Sequence, residues 1–203
     1  MSTGEQIPTV VSFGEDVLDR MVLAVEKVRD RLRRATTALD AHNVPYAVIG
    51  GNAVAAWVSK VDPSLARNTA DVDLLVNRSD FESIKNALQQ AGFIYRHVKS
   101  IDMFLDGDGA KARDAVHILF AGERVKQADL LPAPELSIAD EHPTYRLLDL
   151  EPLVKMKLTS FRRKDQVHIQ DLIDARLVDQ SWTAKLPPEI AARLQELLDD
   201  PEG

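Results

Sequence analysis

The stretch IGGNAVAAWVSKVDPSLARNTADVDLLV, Ile49 to Val76, decides the fold. It places a Gly-Gly pair, Arg67-Asn-Thr69 and Asp71-Val-Asp73 between two apolar runs. Pro45 to Ile49 reads as a short buried strand ending at Gly50-Gly51. The next nine residues have helical composition with Asn52 as a candidate cap, and residues 61–70 read as a loop. Asp71 to Val76 is then a second strand. Side chains alternate faces along a strand, so Asp71 and Asp73 project to one side about 6 to 7 Å apart, while Val72 and Leu74 face the other. Two such carboxylates repel, which raises one pKa unless a divalent cation holds both ionised. Mg²⁺, or Mn²⁺ in its place, suits the pair, because it takes one or two carboxylates and fills its other positions with water and phosphate oxygens. An Asp pair exposed at a turn is the alternative.

The neighbours of the pair also carry two readings each. Gly50 and Gly51 stand between a strand and a helix, where they serve either a tight turn or the close approach of an anion to the helix N-terminus. Arg67 and Thr69 supply either a phosphate contact and an Asp-orienting hydroxyl, or a surface Asn-Thr turn.

Outward from this stretch, residues 1–13 read as a loose arm. Apolar residues from Glu15 to His42 recur at helical spacing, giving one long amphipathic helix or two broken near Thr36 and Thr37. Ser79 or Asp80 caps a helix that runs to Ala91 and stops at Gly92. FIYRHVKSIDMFLD reads as a hairpin with Asp102 and Asp106 as hairpin and turn residues, and AVHILFAG as a further strand. Beyond Asp140 the pattern turns helical, in three segments, the first with Pro152 in its opening turn. Trp57 fits core packing rather than base stacking. The expectation is an α/β protein with an arm and long helix over residues 1–43, a small mixed-sheet core over 44–130, and a linker with C-terminal helices over 131–203.

A chain of 203 residues, 45% hydrophobic and 28% charged, is long enough for one substantial core. No apolar run approaches the roughly 20 residues that span a bilayer, and the N-terminus lacks a secretory pattern, so a cytoplasmic protein without membrane contact is expected. The absence of cysteine excludes disulfides, thiolate metal sites and cysteine nucleophiles. A net charge of −7 argues against nonspecific duplex DNA binding. A small anion needs only a local cluster, and Lys27–Arg34 and Arg162–Lys164 each supply one unless they are solvated helix faces.

The run GGNAVAAWV…RNTADVDLLV resembles the nucleotidyltransferase fold of the DNA polymerase β-like superfamily, whose motif is a Gly-Gly or Gly-Ser turn, a short helix and a DxD on the next strand. Its R-N-T-x-D-V-D form is most similar to AbiEii-type and related bacterial toxin–antitoxin nucleotidyltransferases. The resemblance covers residues 44–120 and extends to LVKMKLTSFRRKDQVHIQDL. It implies that Gly50 and Gly51 line an NTP triphosphate, with Asn52, Arg67 and Thr69 as further nucleotide contacts. Asp71 and Asp73 would bind the metal ions and Lys157 would reach the phosphates. The implied reaction transfers a nucleoside monophosphate to an RNA, protein or small-molecule acceptor by two-metal catalysis, with a cognate toxin or antitoxin as partner.

Two positions depart from that pattern. His117 stands where active members place a third carboxylate, and imidazole is a poor Mg²⁺ ligand. It is either a general base or a core histidine bonded to Asp71 or Asp73; Asp114, at an odd offset, would face the other way. The alternative to an enzyme is a catalytically degenerate nucleotide-binding or protein-interaction module. His168 replaces a more typical Asp and reads as an interhelical hydrogen-bonding residue.

Overall fold

The computed structural model describes residues 15–142 and 144–200. The long amphipathic segment is one helix, α1 (Glu15–Ala41). It does not break at Thr36, because that buried hydroxyl donates to the Leu32 carbonyl at 3.0 Å and leaves no competing polar group. Asn43, in the left-handed region at φ 54°, turns the chain into β1 (Tyr46–Ile49). There follow α2 (Gly50–Ser59), β2 (Val72–Val76), α3 (Phe81–Gln90), β3 (Ile94–Val98), β4 (Ile101–Leu105) and β5 (Ala115–Phe120).

The chain then departs from the expected pattern. Residues 138–148, in the segment read as linker and helices, form a strand pair, β6 (Ile138–His142) and β7 (Tyr145–Leu148). β7 is only four residues long, and its identity comes from pairing parallel to β1 rather than from a local period. Helices α4 (Leu150–Ser160), α5 (Arg163–Asp174) and α6 (Pro188–Asp199) complete the chain. No helix among the described residues is long and apolar enough to cross a membrane.

The strands form one mixed sheet in the order β3-β4-β5-β2-β1-β7-β6. β1 runs antiparallel to β2, β2 parallel to β5, and β4 antiparallel to both β3 and β5. Strand alternation sorts the side chains into two cores. Tyr46, Val48, Val72, Leu74, Val76, Val116 and Ile118 face α1 and α3. Ala47, Ile49 and Leu75 face α2, α4, α5 and α6, with Trp57 packed against them. Asp73 shares a face with Leu75, and His117 lies opposite it in register. Both carboxylate and imidazole therefore point toward the side covered by the C-terminal helices.

Two expected caps are absent. α2 begins at Gly50, so Asn52 sits inside it and donates to the Asp71 carbonyl at 2.6 Å. Asp80 precedes α3, but its carboxylate accepts from Asn77 at 3.1 Å instead of capping the helix.

Candidate active site

A cleft of about 650 Å³ lies between the sheet and helices α4 and α5, and Gly50, Asp71, Asp73, His117 and Lys157 line it. The Gly-Gly pair is explained by what presses on it. Gly50 sits at φ 71°, and a Cβ there would overlap the Asp73 carboxylate, with Cγ only 2.9 Å away. A Cβ on Gly51 would stand 2.9 Å from Thr69 Oγ1. The glycines thus let the DxD strand and its preceding loop close onto the start of α2, and Thr69 serves as the packing partner of Gly51. Gly50→Ala is expected to fold poorly or displace Asp73, because both its backbone angle and its added methyl are unfavourable. Circular dichroism melts of that variant should show a lower midpoint; an unchanged one would contradict the close packing.

The two aspartates are not a bare repelling pair. His117 Nδ1 lies 3.3 Å from Asp73 Oδ1 and Nε2 lies 3.1 Å from the Ala112 carbonyl oxygen. Both partners are acceptors, so the arrangement is satisfied when the ring carries a proton on each nitrogen. The Asp73 bond raises the His117 pKa against the opposing pull of burial. Burial pulls Asp73 upward, but His117 and then Lys157 and Lys164 outweigh it and hold the carboxyl below its ordinary range. Lys164 Nζ stands 3.7 Å from Asp71 Oδ2. The expected upward shift at Asp73 is therefore reversed by the His117 hydrogen bond from β5 and by the lysines of α4 and α5. A ring holding two protons accepts no third, which removes His117 as a base in that state.

On the helical wall, Lys157 is buried and its Nζ lies 3.3 Å from Asp165 Oδ1. Asp165, 1% exposed, also accepts from Ser160 Oγ and from Arg162 Nε at 2.7 Å. Burial raises this carboxyl, but Arg162, Ser160 and Lys157 together bring it down to about 2. Lys157 is pulled down by burial and only partly restored by Asp165. The pair is held from its carboxylate end, where three donors converge. The sequence signal for Asp165 is the Arg162-x-x-Asp165 spacing, in which the carboxylate accepts from the Arg162 backbone N–H at 3.2 Å, one half of a capping box.

Other candidates lie elsewhere. Arg67 is 66% exposed, outside the cleft lining, and bonds Asp171 of α5 at 2.6 Å, so it is not poised on a phosphate. His168 does not make the expected interhelical bond through Nδ1, which is buried without a partner. Burial first, then Lys157, lowers its pKa to about 4, so the ring is neutral near pH 7. Asp102 is buried on β4, accepting from Tyr95 Oη at 2.7 Å and paired with His97 Nδ1 at 2.8 Å. Asp106 and Asp114 face Arg31.

Among the described residues no group of three or more His, Asp or Glu side chains is arranged to hold a metal ion. Asp71 and Asp73 fit a single Mg²⁺ or Mn²⁺ that completes its shell with water and phosphate. The place of a third carboxylate holds His117, whose imidazole is a poor Mg²⁺ ligand.

Neither a protein-family model nor a curated protein matches the sequence. Among solved structures, the antibiotic-resistance factor ANT(2'')-Ia in solution superposes with a TM-score of 0.50 at 14% identity, over 90% of this chain and 94% of that one. A candidate nucleotidyltransferase from H. pylori gives 0.49 at 15% identity, over 94% and 80%. ANT(2'')-Ia in complex with adenylyl-2''-tobramycin gives 0.46 at 16% identity, over 91% and 99%. With its mixed sheet, its flanking helices and the likeness to the first of these, the chain has the nucleotidyltransferase fold.

Proposed function

We propose that the protein is a metal-dependent nucleotidyltransferase, moving a nucleoside monophosphate from an NTP to an acceptor oxygen with pyrophosphate as the leaving group. One observation carries this reading: the Asp73 carboxylate is packed on Gly50 at the start of α2, facing buried Lys157 across a cleft of nucleotide size. The N–H groups of the first turn of α2, with Lys157, receive the triphosphate. Asp71 and Asp73 would hold one divalent cation, which would supply charge neutralisation for the phosphates and the leaving pyrophosphate. The bond formed joins the acceptor oxygen to the α-phosphorus, and the bond broken is that to the bridging oxygen of pyrophosphate. The acceptor proton passes to water.

The cleft also favours an anionic acceptor. Lys99, Arg124 and Lys126 line it, and the side chains of Lys99 and Lys126 have no partner among the described residues. RNA fits this rim better than a protein, since phosphate contacts from Lys and Arg dominate nucleic-acid affinity. The R-N-T-x-D-V-D form supports a place in a bacterial toxin–antitoxin pair, with the cognate protein as partner.

His117 favours a second reading, a nucleotide-binding module without turnover. Pyrophosphate release from the four NTPs with Mg²⁺ or Mn²⁺ and bulk RNA as acceptor separates the two. The wild type should release pyrophosphate slowly. His117→Asp puts the missing carboxylate in place of the imidazole, and release should rise at least tenfold, ~1.4 kcal/mol of barrier. NTP binding without release in either protein would favour the binding module, and no NTP binding at all would remove both readings.

A further inference from the structure

Arg31 is buried in α1, far in sequence from the aspartates, yet its guanidinium reaches three residues on two segments near them. Nη1 donates to the Ala70 carbonyl at 3.1 Å, Nε donates to Asp106 Oδ2 at 3.1 Å, and Nη2 lies 3.7 Å from Asp114 Oδ1. Ala70 immediately precedes Asp71. Its carbonyl is held by Arg31, and the next carbonyl, that of Asp71, is held by Asn52 of α2. Two successive peptide planes at the entry to β2 are therefore pinned by donors on two different helices. Asp106 and Asp114 close the β4–β5 connection, where Asp106 N donates to the Asp114 carbonyl at 3.3 Å. The same connection contains Ala112, whose carbonyl accepts from His117.

From this geometry we infer that Arg31 is a positioning residue for the carboxylate pair: it fixes the peptide that carries Asp71 and the turn that orients the group facing Asp73. A guanidinium suits the task because its planar fork reaches three acceptors at once, whereas an ammonium is a point charge. A charge only 4% exposed is a costly way to secure a helix. Asp106 keeps Arg34 as a partner if Arg31 is removed, and Asp114 is 43% exposed to water. The core of α1, formed by Leu32, Ala35 and Leu39, is untouched.

This inference rests on Asp71 and Asp73 holding a metal ion, and its test uses the full chain with Mn²⁺ alone, followed by the electron paramagnetic resonance signal of the free ion. Arg31→Met should weaken Mn²⁺ binding about tenfold while the metal-free melting temperature falls by only a few degrees. Arg31→Lys should fall between Arg31→Met and the wild type. Asn52→Ala, which frees the adjacent carbonyl, should also weaken Mn²⁺, and its effect should not add to that of Arg31→Met, as expected for residues holding one element. Unchanged Mn²⁺ affinity in Arg31→Met, with or without a lower melting temperature, would overturn the positioning role and leave the metal site standing. If Arg31→Met does not fold, wild-type affinity in Arg31→Lys overturns it equally. A wild type that binds no Mn²⁺ removes the metal site and this inference together.

Discussion

Asp73→Asn is expected to abolish Mg²⁺-dependent NTP binding and also to lower the melting temperature of the metal-free protein, whereas Asp71→Asn should abolish binding with the metal-free melting temperature nearly unchanged. The difference follows from their partners. Asp73 pairs with the His117 ring inside the cleft, and an amide there weakens that hydrogen bond, a loss of about 1 to 3 kcal/mol. For a chain of this size that is roughly 3 to 10 °C. Among the described residues the Asp71 carboxylate pairs with Lys164 alone, at 3.7 Å, a partly exposed pair of small worth. In both variants the stabilisation conferred by NTP with Mg²⁺, about 2.7 kcal/mol at 100 times the dissociation constant, should vanish in a thermal-shift titration. His117 has its folded pKa raised above the ordinary 6.5, so the Asp73–His117 contribution is full below 6.5 and is lost as pH rises through the folded value. The gap between wild type and Asp73→Asn should therefore narrow at alkaline pH. A melting temperature that rises on Asp73→Asn would mean that carboxylate repulsion, not pairing with His117, governs the metal-free site.

Asp165→Ala should be the most destabilising of the substitutions considered. It leaves the Lys157 ammonium buried without its carboxylate and strips the N-terminus of α5 of its capping partner. Removing one member of a buried pair costs about 3 to 5 kcal/mol, so urea unfolding should begin at a markedly lower concentration than in the wild type. The pH dependence has a definite sign. With its folded pKa lowered to about 2 from 3.8, Asp165 contributes stability that is fully present above 3.8 and is lost as pH falls through 2, about 2 kcal/mol in all. Wild-type stability measured from pH 5 to pH 2 should carry this loss, and Asp165→Asn should show a flatter profile. Equal slopes for the two proteins would show that Asp165 is not the carboxylate holding α4 to α5.

The sequence by itself determined those features that depend on near neighbours. Helical spacing through Leu32, Ala35 and Leu39 marked α1, and alternation through Val72, Asp73, Leu74 and Leu75 placed Asp73 on the opposite face from Val72 and Leu74. Gly50 and Gly51, between a strand and a helix, marked the point where the chain must pack closely. Each of these signals is carried within a few residues, because helix and strand periods act over one or two turns or pleats.

Only the tertiary structure decided the partners. Arg67 looked free to meet a phosphate until α5 brought Asp171, 104 residues away in sequence, to within 2.6 Å. Local spacing leaves His117 two readings, and it is the register with β2 that sets one ring nitrogen against Asp73 and the other against the Ala112 carbonyl. β7 became a strand because β1 offered it an edge, and Asp165 became the anchor of Lys157 because α4 and α5 meet there. A charged side chain takes whichever opposite charge the fold brings within about 4 Å, and its protonation depends on how much water that meeting removes. Neither distance nor burial is written in local spacing, which is why the positions of the aspartates were legible in the chain while their electrostatic state was not.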